Sequence, residues 1–134
     1  MQPASERPFQ ASRFAYLTNT DGLAASHPGA QQQVENAKSH YTSALKNLES
    51  TDKDAREAYH DDKANGLTTD TFGNWAMQNS PEWASAKAEA QAAGAALSSA
   101  AMNAFGPAYE QRIREKQSEV DRAAYEAGFQ PEIF

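Results

Sequence analysis

The sequence predicts an all-α fold, a compact bundle of about four main helices plus a short connector helix, and three observations carry that expectation. Apolar residues recur at steps of three and four in two long stretches, Val34, Ala37, Tyr41, Ala44, Leu48 and then Trp83, Ala86, Ala90, Ala93, Leu97, Ala100, Ala104. At 3.6 residues per turn each row falls on one helix face. No alternating apolar pattern occurs, and Ile and Val are scarce, so nothing suggests a sheet. Stop and start signals divide the chain into lengths ordinary for bundles. If the two internal breaks near 50–52 and 106–107 are not used, the alternative is a long antiparallel helical hairpin.

Residues 1–27 show no sustained period and contain Pro3, Pro8 and Gly22, so they read as an extended N-terminal arm with at most a short turn. Phe9, Phe14, Tyr16, Leu17 and Leu23 are the side chains able to strap it to a helical body. The first helical stretch opens near Pro28, where a missing N–H costs nothing in the first turn. It closes by Asn65-Gly66, a left-handed C-cap pair. Ser50-Thr51-Asp52, with Asp54 three residues after Thr51, approximates a capping box, so this stretch is either one helix or two.

A connector spans Leu67 to Ser80, with Thr68 or Thr69 placed to cap a short helix that puts Phe72, Trp75 and Ala76 on one face. The next start is the clearest in the chain: Ser80 as N-cap, Pro81 at the first helical position, and Glu82 favourable to the helix dipole. The Ala-rich run continues to Phe105, where Gly106-Pro107 must kink or break it. Tyr109, Ile113, Lys116, Val120 and Ala123 resume the period until Gly128, leaving 128–134 as a C-terminal tail of one helical domain covering 1–134.

Composition narrows the function classes. A net charge of -6 argues against a phosphate-binding surface and hence against nucleic acid. Zero cysteines remove disulfides, thiolate metal sites and cysteine nucleophiles. No apolar run is long enough to span a bilayer, and the opening Met1-Gln2-Pro3-Ala4-Ser5-Glu6-Arg7 lacks the apolar core of a signal peptide. The expectation is a cytoplasmic protein, although a processed secreted form carrying a starting Met would read the same. Leu, Ile, Val and Phe together supply only sixteen of 134 residues, below the roughly 20% usual in folded domains. So thin a core points to burial against a second subunit or another protein.

Motifs of chemistry are sparse. Glu57-Ala58-Tyr59-His60 has the Glu-x-x-His spacing of carboxylate-bridged metal bundles, making Glu57 and His60 candidate ligands. A single copy builds no such site alone, and a solvated charged face explains it as well. There is no Gly-x-Ser-x-Gly elbow and no phosphate-cradling glycine loop, so no catalytic residue and no cofactor are assigned. Gly73-Asn74-Trp75 near a helical connector has the reverse order of the Trp-x-Gly of the WXG secretion substrates, and the following helix lacks their Tyr-x-x-x-Asp/Glu signal. No family is assigned on it.

The functional expectation is therefore a non-enzymatic protein–protein interaction or structural protein that self-associates through its Ala-rich helix, with Ala93, Ala96, Ala100 and Ala101 as interface candidates. Phe72, Trp75, Trp83, Phe129 and Phe134 are the candidates for ligand or partner binding, against the alternative that they close the end of the bundle. The competing class is a small-ligand-binding protein or small helical enzyme with a pocket between helices, centred on Trp75, Trp83 and His60.

Overall fold

The computed structural model describes residues 8–126. Within them a 3-10 helix, Ala11–Thr18, precedes four α-helices: α1, Pro28–Ala64; α2, Phe72–Asn79; α3, Pro81–Phe105; and α4, Pro107–Glu126. The described residues contain no strand. The chain is all-α.

Helix α1 runs unbroken for 37 residues, ~55 Å at 1.5 Å per residue. The stop signal at Ser50-Thr51-Asp52 is not used, because both side chains able to cap a new start are engaged elsewhere. The Thr51 hydroxyl donates back to the Asn47 carbonyl at 2.7 Å, one turn earlier. Asp52 turns inward and accepts from groups on α1, α3 and the arm. His27, not foreseen as a cap, begins α1 by accepting the Ala30 N–H on Nδ1 at 3.0 Å. Gly66, at φ 73°, closes it, with the Leu67 N–H returning to the Asp62 carbonyl at 2.8 Å.

The connector helix is capped by Thr71, whose hydroxyl accepts from the Asn74 N–H, in place of the expected Thr68 or Thr69. Thr68 instead accepts the Asp70 N–H in a local turn. Ser80 caps α3 as expected, accepting the Trp83 N–H at 3.3 Å. The Gly106-Pro107 break is real. Gly106 adopts φ 66°, ψ -149°, a region open essentially to glycine alone, and Pro107 starts α4. Gly106→Ala is expected to cost about 1–3 kcal/mol through that strain, read as a lower melting temperature with helical content retained; an unchanged melt would disprove the strain.

The dominant contact is the antiparallel pairing of α1 with α3, so the architecture is a long hairpin with α2 at its turn. Helix α4 folds back over α3 and the 3-10 helix. Three long helices therefore replace the four expected, since only the proline-bearing break is used. Val34, Tyr41, Ala44, Leu48, Ala55 and Tyr59 of α1 share one core with Ala86, Ala90, Ala93, Leu97, Ala101 and Ala104 of α3. Alanines on α3 let the two backbones approach closely. The scarcity of branched aliphatics is offset by seven buried aromatics, Phe14, Tyr41, Tyr59, Phe72, Trp75, Trp83 and Tyr109, each burying roughly 150–250 Å².

Between Phe9 and Asp21 the arm is tied to the helices. Phe14 stacks on Phe9 with centroids 5.0 Å apart, and the Tyr41 and Tyr109 hydroxyls each donate at 2.8 Å, to the Phe14 and Leu17 carbonyls respectively. Arg112 of α4 reaches the Asn19 side chain and the Asp21 carbonyl. Of these acceptors the Leu17 carbonyl lies in the last turn of the 3-10 helix, where a helix leaves carbonyls open.

Candidate functional site

Two regions concentrate chemistry, one at the turn of the hairpin and one where the arm crosses it. At the turn, Tyr59, Phe72, Trp75 and Trp83 form a single ring cluster with centroids 5.5–6.5 Å apart, mostly tilted or edge-to-face. Every polar tip is satisfied: Tyr59 donates to the Asp70 carbonyl at 2.6 Å, Trp75 to the Asp62 carboxylate at 3.0 Å, and Trp83 to the Asp52 carboxylate at 2.9 Å. Asp52 is 2% exposed and also accepts the Arg56 Nε–H at 2.7 Å and the Phe9 N–H at 3.0 Å. The Arg56 guanidinium lies 4.0 Å from the Phe72 ring centroid. The cluster plugs the end of the hairpin, and Phe72, Trp75 and Trp83 are buried within it. Phe129 and Phe134 lie outside the described residues.

The second region is a half-open cleft of about 230 Å³, bounded by Phe14, Tyr16 and Leu17 of the arm, Tyr41 of α1, Ala90 to Ser98 of α3, and Gln117 of α4. Its base is Gly94. A Cβ there would sit 3.1 Å from Tyr41 Cε1 and 3.4 Å from Leu17 Cδ1, so any side chain would press on the ring beneath. Burial pushes the Tyr41 phenol well above its usual range and that of Tyr109 up to about 12; at Tyr109 the nearby Ser98 hydroxyl opposes the rise and Tyr16 adds to it. Tyr16 is raised as well, by burial and then by the negative Asp121. All three phenols stay protonated near neutral pH.

No family model matches this chain, and no curated protein or solved structure matches it.

The metal candidates Glu57 and His60 are both on the exposed side of α1, and no group of three or more His, Asp or Glu positioned to hold a metal ion occurs among the described residues. Of the interface candidates, Ala93 and Ala101 are 1% and 0% exposed and packed inside the chain; Ala100 is half-buried and Ala96 exposed. The cleft is lined by none of Trp75, Trp83 and His60, the residues about which the sequence places a candidate pocket. It lies about Gly94, which sequence reasoning passed over within the run Ala92-Ala93-Gly94-Ala95-Ala96. A signal was present there: glycine costs about 1 kcal/mol against alanine in a helix interior, which marks a site of close approach.

No described helix is long and apolar enough to cross a membrane.

Proposed function

We propose that this protein is a non-enzymatic helical interaction protein that self-associates through the outer face of α3. One observation carries the reading: α3 bears two rows of small side chains, and only one of them is covered by α1. The second row, Ala88, Ala92, Ala95 and Ser99, steps by four and three, is exposed throughout with Ala96 beside it, and ends at the larger Met102. That is the spacing of a helix–helix seam, and its small residues suit close approach of another helix. The buried aromatics already stabilise the single chain, so association serves recognition rather than completion of the core.

Size-exclusion chromatography with light scattering tests this directly. The expected result is a mass that is a multiple of the chain's, with a melting temperature that rises with protein concentration. Because each copy carries a net charge of -6, added salt should strengthen the association by screening repulsion. Ala92→Glu and Ala96→Glu should each yield a monomer of unchanged helicity. A wild-type monomer at high concentration with a concentration-independent melt would overturn the reading.

A further inference from the structure

We propose that the cleft over Gly94 is a binding site for a small, neutral, planar ring molecule of one or two rings that carries a hydrogen-bonding group. Size comes first. An apolar cavity of roughly 150 Å³ accepts a benzene-sized ring, so a cleft of about 230 Å³ has room for one or two rings and would cover only part of anything drug-sized. Shape follows from the walls: the half-buried Tyr16 is the aromatic side chain most open to the cleft, Leu17 closes one side, and the buried Phe14 and Tyr41 rings stand behind them beside the bare backbone at Gly94. A flat ligand stacks on such walls.

Charge is decided by what is missing from the lining. Not one Asp, Glu, Lys or Arg lines the cleft, although 22% of the chain is charged. An anionic ligand would lose its hydration there without gaining a counter-charge, and the negative Asp121 near Tyr16 would repel it. Polarity is nevertheless provided. Tyr41 and Tyr109 donate to arm carbonyls, whereas the half-buried Tyr16 hydroxyl makes no hydrogen bond among the described residues. That hydroxyl can accept a ligand N–H such as indole's or donate to a ligand oxygen or nitrogen, and the Gln91 and Gln117 amides stand at the rim with both donors and acceptors to offer.

Indole is the probe, followed by protein NMR shifts in a titration of the full chain, with the anion indole-3-acetate as the charge control. The expected result is saturable binding with Kd at or below about 1 mM, shifts mapping to Tyr16, Gly94 and Ser98, and affinity for the anion at least about tenfold weaker. Ser98→Leu fills the cleft and should abolish saturation, while Tyr16→Phe keeps the ring and should weaken binding roughly three- to tenfold, the worth of one neutral hydrogen bond. Should Ser98→Leu fail to fold, by circular dichroism, Tyr16→Phe alone decides. No saturable binding by the wild type, equal affinity for the anion, undiminished binding by folded Ser98→Leu, or undiminished binding by Tyr16→Phe would each overturn the proposal.

Discussion

Replacing Asp52 with Ala is expected to destabilise the protein by about 3–5 kcal/mol, a large part of the ~5–15 kcal/mol that holds a domain of this size. The carboxylate is 2% exposed and draws together three parts of the chain distant in sequence: Trp83 on α3, Arg56 on α1 and the backbone of Phe9 in the arm. Its removal leaves the Trp83 indole N–H without its acceptor in the interior and takes the negative charge from beside a guanidinium that is itself largely buried. The melting temperature should fall by more than about 10 °C. Asp52→Asn, which retains an oxygen for Trp83 but not the charge, should lie between wild type and Ala. A loss under about 1 kcal/mol for Asp52→Ala would show that the network contributes little to stability.

Ala101→Glu is expected to unfold the chain or leave it without fixed tertiary packing near neutral pH, a loss of at least ~4 kcal/mol. Ala101 is 0% exposed in a core shared by α1 and α3, and a glutamate there must either bury its charge or part the two helices. Ala96→Glu, one and a half turns away on the solvent side, should change monomer stability by no more than about 0.5 kcal/mol. The two substitutions are chemically identical, so the contrast reads helix rotation alone. Near-ultraviolet circular dichroism and a melt at low concentration, where association does not contribute, make the measurement. A folded, cooperative Ala101→Glu would place the Ala-rich helix with the wrong face inward.

Sequence alone determined the features that depend on backbone chemistry within one or two turns. Ser80-Pro81 starts α3 and Asn65-Gly66 ends α1, and both follow from which N–H and C=O groups a helix end leaves open. Gly106-Pro107 breaks the last long stretch because proline removes a donor wherever it sits. The all-α class follows equally from a period that needs no knowledge of neighbours.

Tertiary structure alone decided everything for which a side chain had two satisfying partners. Thr51 and Asp52 are good caps, yet Asp52 is drawn inward by the Trp83 indole, 31 residues away, and α1 continues. The Ala-rich helix carries small residues on nearly every side, so the sequence holds no information about its rotation; the buried face is chosen by Tyr41, Leu48 and Tyr59 packing from α1. Phe14 and Leu17 lay in an arm without periodicity, and only their burial against α1 and α4, through carbonyls bonded to Tyr41 and Tyr109, folds that arm into a 3-10 helix and encloses the cleft over Gly94. Local rules act through covalent neighbours and are written in order along the chain, whereas a choice between competing partners is settled only once distant residues meet.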